Sequence, residues 1–133
     1  MINKGMAVLV VDDFASMRTQ IKEILRELKF TNVLEARDGL EAMTVLKNRK
    51  IDFIISDWNM PNSDGMALLR HVREHEVYKD LPFLMVTGVS DRKNVLEAVT
   101  AKVSNYIVKP FNADTLEAKI RAVFGCKEPL WEK

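Results

Sequence analysis

Short apolar runs rich in β-branched residues alternate five times with longer segments in which apolar residues recur at every third or fourth position. Short runs of this kind favour β-strands, and the longer period is typical of amphipathic helices. Strands that alternate with helices predict a parallel sheet with helices packed on both faces. The hydrophobic pattern therefore predicts a doubly wound α/β fold with five parallel strands and five helices.

The same pattern gives approximate bounds for each element. The five predicted strands are Met6–Val11, Val33–Ala36, Phe53–Ser56, Phe83–Val86 and Tyr106–Val108. The predicted helices are one with Met17 to Leu28 on its apolar face, one capped by Asp38 with Glu41, one that starts at Ser63 or Asp64, one from about Asp91 to Ala101, and one capped by Asn112 and ended by Gly125. Aspartate, asparagine and serine mark helix starts because their side chains accept hydrogen bonds from the free N–H groups there.

Composition narrows the class of protein. The chain has 133 residues, of which 47% are hydrophobic and 29% charged, which suits one domain with a substantial core. We expect this domain to span residues 1–125, with a short tail over 126–133. A formal charge of +1 argues against general nucleic-acid binding, and the single cysteine, Cys126, rules out an internal disulfide. With no signal peptide and no long apolar run, we expect a cytoplasmic protein without membrane insertion.

Candidate site residues follow four of the five predicted strands, whereas the second strand contributes only Arg37 and Asp38. The candidate residues are Asp12 and Asp13 after the first strand, Asp57 after the third, Thr87 and Gly88 after the fourth, and Lys109 after the fifth. The carboxyl ends of parallel strands meet at one edge of the sheet, where ligands bind in open α/β folds. We therefore expect three carboxylates, a hydroxyl and an ammonium group to converge at this edge.

The charges of this group predict a metal ion. The three aspartates contribute −3 and Lys109 contributes +1, and carboxylates this close repel one another, which raises a pKa. A divalent cation would bring the sum to zero and keep all three acids ionised. Oxygen ligands suit Mg²⁺, and the absence of histidine from this edge argues against zinc. An ionised carboxylate is a nucleophile toward phosphorus, so Asp57 is the candidate phosphoryl acceptor.

Other candidate side chains have simpler interpretations. His71 and His75 lie four residues apart on one predicted helix, but without a third ligand we interpret them as solvated. Trp58 could pack beside the site or cover it, and partial cover is the favoured interpretation. Tyr106, taken alone, is typical of a half-buried strand aromatic.

At these residues the chain resembles response-regulator receiver domains over nearly its whole length, and in particular single-domain chemotaxis regulators of the CheY type. The matching segments are Val10–Phe14, Ser56–Asn62, Asp64–Gly65, Leu84–Thr87 and Tyr106–Phe111. The resemblance implies a flavodoxin-like sheet with strand order 2-1-3-4-5. It also implies a switch that promotes its own phosphorylation and dephosphorylation, not a turnover enzyme.

The resemblance gives each site residue a role. The residues implied in phosphoryl transfer are Asp57, as the phosphoacceptor, with Thr87 and Lys109. The implied Mg²⁺ site consists of Asp12, which acts through water, Asp13, Asp57 and the backbone carbonyl of Asn59. The implied partner surface lies on the fourth predicted helix, the fifth strand and the last helix, and includes Arg92, Val95, Val99, Tyr106 and Lys119. Tyr106 is the implied switch, which turns inward when Thr87 moves toward the phosphate, and the Lys109–Pro110 peptide is expected to be cis.

The implied partners are a histidine kinase of the CheA type, the flagellar motor switch protein and a phosphatase, and the chain is expected to be a monomer. Two positions depart from the family pattern. Lys102 stands near the end of the fourth predicted helix, where glycine is frequent, so that turn is expected to differ. Val89 stands where an acidic residue is frequent, which bears on the rate of phosphate loss and on phosphatase contact.

Two alternatives stay open. Within the same class, the chain could be a stand-alone receiver that serves as a phosphorelay intermediate or regulates a partner other than the motor. In a different class, a haloacid-dehalogenase-like phosphohydrolase would need Asp-x-Asp after the first strand, whereas Asp12 and Asp13 are adjacent. A dinucleotide-binding enzyme fits less well, because no Gly-x-Gly-x-x-Gly motif follows a strand.

Overall fold

The computed structural model describes residues 3–60, 62, 64–88 and 101–125. Its strands form one five-stranded sheet in which every neighbouring pair is parallel, in the order 2-1-3-4-5 that the resemblance implied. The strands are β1 (Ala7–Val11), β2 (Asn32–Ala36), β3 (Phe53–Asp57), β4 (Phe83–Gly88) and β5 (Asn105–Lys109).

Four helices lie within the described residues: α1 (Ala15–Glu27), α2 (Gly39–Asn48), α3 (Gly65–Glu74) and α4 (Ala113–Phe124). The prediction of five helices is therefore not met within these ranges. The predicted helix from about Asp91 to Ala101 falls on residues 89–100, which lie outside the described residues, and Ala101 itself is in a turn. None of the helices in the described ranges is long and apolar enough to cross a membrane.

Three helices begin at residues that the sequence indicated as caps. Asp38, Asp64 and Asn112 accept hydrogen bonds from the backbone N–H groups of Glu41, Ala67 and Thr115. The alternative start of α3, Ser63, lies outside the described residues. Helix α1 differs, because its N-cap is Phe14 and no side chain caps it. Helix α4 ends at Gly125, whose φ of 67° is the left-handed conformation that glycine favours.

A hydrophobic layer covers each face of the sheet, because successive side chains of a strand point to opposite sides. From β1, Val8 and Val10 pack in the layer that includes α1 and α4. Ala7, Leu9 and Val11 pack in the opposite layer, which includes α2 and α3. All residues of β1 and of its neighbour β3 are buried. The carboxyl ends of these two strands are therefore held side by side by packing on both faces.

Strands β3, β4 and β5 extend further at their carboxyl ends than the hydrophobic pattern predicted, and this changes the place of several polar residues. Asp57 and Lys109 are the last residues of β3 and β5, and Thr87 and Gly88 are the last two of β4, so none of them begins a loop. Asp57 pairs with Val86, and Lys109 pairs with Gly88. Ladder hydrogen bonds use backbone groups only, so a polar side chain does not end a strand. The ladder thus fixes the backbone of these four residues.

Two backbone features concern expectations from the family resemblance. The Lys109–Pro110 peptide is cis, as expected. Lys102 has a φ of 65°, so this residue adopts the left-handed conformation even though it carries a side chain. The position at which glycine is frequent in the family therefore has a backbone that glycine would favour.

Candidate functional site

Asp12, Asp13 and Asp57 lie together at the carboxyl ends of β1 and β3. One carboxylate oxygen from each residue lies within 4.8 Å of those from the other two. Asp12 is 1% exposed and Asp57 is 4% exposed, whereas Asp13 is half-buried. The structure therefore brings together the three acids that the sequence placed at this edge.

Asp12 is held through three of its atoms. Its backbone N–H donates to the carbonyl oxygen of Ala36, at the end of β2, over 3.1 Å. Its carbonyl oxygen accepts a hydrogen bond from Arg18 Nη1 at 2.7 Å, and its Oδ1 accepts one from the backbone N–H of Phe14 at 3.0 Å. These contacts fix the turn between β1 and α1. Asp12 Oδ2 is buried without a partner among the described residues.

Asp57 Oδ1 has both a cation and a backbone donor beside it. Lys109 Nζ lies 2.9 Å from this oxygen, and the backbone N–H of Trp58 donates to it over 2.9 Å. The Trp58 side chain is 7% exposed and packs in the hydrophobic layer that includes α2 and α3. Packing therefore describes its place better than the partial cover that we expected from the sequence.

Gly65 lets the start of α3 approach the end of β3. A Cβ atom at this position would collide with the backbone carbonyl oxygen of Asp57 and would lie 2.9 Å from Met85 Sδ. The N–H of Gly65 also donates to the carbonyl oxygen of Trp58 at 2.9 Å. The sequence pattern predicted no role for Gly65 itself. The available signal was a glycine at the first position of a helix, where its low helix propensity calls for a packing reason.

Burial raises the pKa values of two of the acids. The pKa of Asp12 is raised from 3.8 to about 6, mainly by burial, with the charges of Asp57 and Asp13 adding to the shift. Burial also raises the pKa of Asp57, although Lys109 and the Trp58 N–H oppose this shift. Repulsion between carboxylates, the cause that the sequence suggested, is therefore the smaller contribution.

The donor set fits a hard divalent cation. Asp12 Oδ2 and Asp13 Oδ1 are buried acceptors that lack a hydrogen-bond partner in the described part of the chain, a costly arrangement unless a ligand pairs with them. A cavity of about 360 Å³ lies at the same edge and is lined by Asp13, Asn59, Met60 and Asp64. Oxygen ligands of this kind suit Mg²⁺. No histidine or cysteine joins the three acids in the ranges that the structure describes.

Thr87 and Asn59 occupy different environments near the acids. Thr87 is 1% exposed and lies one residue beyond Val86, the strand partner of Asp57. Its hydroxyl donates to the carbonyl oxygen of Gly88 at 3.4 Å, a long bond that a better acceptor could replace. Asn59 is exposed and lines the cavity. Both residues are thus at the edge where the sequence placed them.

The predicted partner surface is described only in part. Tyr106 is half-buried, and Lys119 Nζ lies 4.8 Å from the centre of its ring, a cation–π contact. The other predicted residues of this surface, Arg92, Val95 and Val99, lie outside the described residues, as does Val89.

His71 lies in the last turn of α3, and His75 is the C-cap residue of this helix. The ring of His75 stacks on that of Tyr78 with centres 4.2 Å apart, and its Nδ1 accepts a hydrogen bond from the N–H of Val77. Both His71 and His75 are half-buried, so they are less solvated than we expected from the sequence.

Comparison with known proteins assigns the family. The chain matches the response regulator receiver domain family over residues 8–121. It is 47% identical over 123 residues to the chemotaxis protein CheY-3 of Vibrio cholerae, with 92% of this chain and 95% of that protein covered. It is 49% identical over 119 residues to the chemotaxis protein CheY of Pseudomonas aeruginosa, with 90% and 96% covered.

Solved structures agree with this assignment. The chemotaxis response regulator CheY4 of Vibrio cholerae is 34% identical with a TM-score of 0.82, over 90% of this chain and 98% of that one. The receiver domain of a sensor histidine kinase from Pseudomonas aeruginosa is 26% identical with a TM-score of 0.80, over 91% and 98%, and its structure has a magnesium ion coordinated in the active-site cleft. With its parallel sheet, its acidic edge and relatives of the CheY type, the chain belongs to the response regulator receiver family.

Proposed function

We propose that the protein is a phosphorylation-activated switch of a two-component system, in which Asp57 accepts a phosphoryl group from a histidine kinase of the CheA type. The family favours this over the haloacid-dehalogenase alternative, because CheY-like receivers are signalling switches and not classical enzymes. Asp13, Asp57 and the carbonyl of Asn59 would hold Mg²⁺, with Asp12 acting through water. When bound there, the ion would supply positive charge to the phosphoryl oxygens.

One observation carries this proposal: Asp57 lies between a cation and two acids with unpartnered oxygens. Lys109 Nζ is 2.9 Å from Asp57 Oδ1, while Asp12 Oδ2 and Asp13 Oδ1 lack hydrogen-bond partners among the described residues. If these buried carboxylates served only the fold, each of their oxygens would be expected to have a hydrogen-bond partner. Acceptors left open beside a paired carboxylate favour a site that receives a cation and an anionic group together.

The chemical step is a transfer of phosphorus between two nucleophiles. A carboxylate oxygen of Asp57 forms a bond to phosphorus while the bond from phosphorus to the imidazole nitrogen of the donor breaks. The nitrogen keeps the electron pair and takes up a proton, and an acyl phosphate remains on Asp57. Lys109 is placed to neutralise charge on the phosphoryl oxygens, and the Thr87 hydroxyl can donate to one of them. Hydrolysis of the acyl phosphate later resets the switch.

The output is a change of surface. Phosphorylation adds about one unit of negative charge and new acceptor oxygens. Lys109 and Thr87 can respond to that charge, and Tyr106 with Lys119 lies on the neighbouring strand β5 and helix α4. A shift of Thr87 toward the phosphoryl group favours an inward position of Tyr106, a shift between two populations. The proposed partner surface includes these two residues together with Arg92, Val95 and Val99.

The flagellar motor switch is the proposed target, in the cytoplasm, because curated relatives at 47% and 49% identity are chemotaxis proteins. The test is the affinity of the chain for a motor-switch peptide, measured with and without acetyl phosphate and Mg²⁺. We expect tighter binding to the phosphorylated form and no change for Asp57→Asn. Equal affinity in both states would contradict the motor proposal. Rapid transfer of the phosphoryl group to a histidine phosphotransfer domain would instead favour a phosphorelay.

A further inference from the structure

Arg18, on α1, connects the acidic site to strand β2. Its Nη1 donates to the backbone carbonyl oxygen of Asp12 at 2.7 Å, and its Nε donates to Glu35 Oε1 at 2.9 Å. The Arg18 side chain is 14% exposed and its bond to Asp12 is partly buried, whereas its bond to Glu35 is exposed to water. One guanidinium therefore links β2, where Glu35 lies, to the residue that follows β1.

Glu35 is itself held in place. Its second carboxylate oxygen lies 2.7 Å from Lys22 Nζ, and the hydrogen bonds from Lys22 and then Arg18 hold its pKa below the usual value. Glu35 pairs with Val10 in the ladder between β1 and β2. Because Val10 is two residues before Asp12, this pairing holds the backbone of Glu35 close to the end of β1. The Glu35 carboxylate is therefore a fixed hydrogen-bond acceptor for Arg18.

Within the described residues, Arg18 provides the one side-chain hydrogen bond to the backbone of Asp12. The other contacts of Asp12 come from backbone groups of Ala36 and Phe14. Arg18 binds the carbonyl and not the carboxylate, so it fixes the turn without occupying Oδ2. The carboxylate charge stays available to a cation.

We propose that Arg18, oriented by Glu35, is a positioning residue for the cation site. By fixing the carbonyl of Asp12 it holds the turn that carries Asp12 and Asp13, and so keeps their open oxygens within reach of one ion. This rests on the proposed function, since it takes the three acids to be a Mg²⁺ site. A lysine at position 18 could not do the same, because the two bonds need the planar fork of a guanidinium.

The test is the dissociation constant for MgCl₂, from NMR titration of the amides of Asp12, Asp13 and Asp57. Groups that orient metal ligands typically change metal affinity by about 10- to 100-fold when removed. We expect about tenfold weaker binding for Arg18→Gln and for Glu35→Ala, and no additional loss in the double variant. Glu35→Gln keeps an oxygen that can accept from Arg18 Nε, so it should restore most of the affinity.

Lys22→Gln is the matched control. It removes the exposed partner of Glu35 but leaves the bonds of Arg18, so the affinity should change less than about twofold. Wild-type affinity in both Arg18→Gln and Glu35→Ala, with only a lower thermal midpoint, would overturn the proposal and leave Arg18 as a tether between α1 and β2. Absence of Mg²⁺ binding in the wild-type chain would overturn the proposed function as well, so the two failures are distinguishable.

Discussion

Lys109 Nζ lies 2.9 Å from Asp57 Oδ1, although the two residues are on strands that do not pair with each other. Strand β4 lies between β3 and β5, and the partner of Lys109 on β4 is Gly88. Paired residues have side chains on the same face, and glycine has none to stand between the ammonium and the carboxylate. The ion pair is therefore a product of the strand order and of Gly88 together.

Removal of this ammonium should raise the pKa of Asp57. The hydrogen bond and the charge of Lys109 both lower that pKa, against the effect of burial. We expect Lys109→Met to move the titration of the Asp57 carboxyl to higher pH, measured by carbon-13 NMR of the side chain in EDTA. Lys119→Met is the control, because Lys119 contacts Tyr106 instead. An unchanged Asp57 titration in Lys109→Met would contradict the geometry.

The stability of the metal-free protein should depend on pH through Asp12. Its pKa is about 6 in the folded chain against an ordinary value of 3.8, so the folded state binds the proton more tightly than the unfolded state. The stabilisation that Asp12 contributes is fully present below about pH 3.8 and is lost as the pH rises through about 6. The whole loss, from below pH 3.8 to above pH 6, is on the order of 3 kcal/mol at most. Between pH 5 and pH 7 we expect the free energy of unfolding in EDTA to fall by about 1 kcal/mol of this.

The control for this pH effect is Asp12→Asn, which cannot titrate at this position. Its urea midpoint should change less between the two pH values, although Asp57 retains a shift in the same direction. Mg²⁺ should offset the loss at pH 7 in the wild-type chain, because a ligand that binds only the folded state stabilises it. If the urea midpoint changed equally with pH in the wild type and in Asp12→Asn, this would count against the raised pKa of Asp12.

Gly65→Ala should destabilise the fold and disturb the site. The new Cβ meets the carbonyl oxygen of Asp57 and the sulfur of Met85, so α3 must shift away from β3. Overpacking of this kind typically costs about 1–3 kcal/mol. The measurements are the urea unfolding energy and the amide shift of Trp58. At Gly5 the nearest atom is Asn3 Oδ1 at 3.3 Å, on a flexible side chain, so Gly5→Ala should change neither.

Lys102→Gly should stabilise the protein, by up to about 1 kcal/mol, because a non-glycine residue in the left-handed conformation is strained. The gain is limited by the larger entropy of glycine in the unfolded chain. Arg73 Nε bonds the Lys102 carbonyl at 2.8 Å, a backbone contact that the change keeps. Lys47→Gly, near the end of α2, is the opposite control and should lose up to about 1 kcal/mol. Equal losses in both variants would show that position 102 is not strained.

The sequence predicted the features that depend on side-chain type and spacing. The alternation of apolar runs gave the five strands, and the caps Asp38, Asp64 and Asn112 stood where helices begin. It misplaced the strand ends at Asp57 and Lys109, because ladder bonds join backbone groups whatever the side chain.

Contacts made by backbone atoms could not be predicted from the sequence, because every residue carries the same backbone groups. The carbonyl of Asp12 that accepts from Arg18, and the carbonyl of Asp57 that Gly65 accommodates, carry no sequence signal. The same holds for the dominance of burial over repulsion at Asp12, because burial depends on how the two hydrophobic layers close around the edge of the sheet.

The central claim is that Asp57 receives the phosphoryl group, and the most direct test is to map the adduct. The chain is incubated with acetyl phosphate and Mg²⁺, the acyl phosphate is trapped by borohydride reduction, and the modified residue is located by tandem mass spectrometry. Asp114→Asn, an exposed acid in the first turn of α4, is the control for general loss of a carboxylate. We predict one adduct, on Asp57, in the wild type and in Asp114→Asn, and none in Asp57→Asn or in EDTA. Undiminished labelling of Asp57→Asn, or an adduct at another residue of the wild type, would contradict the account.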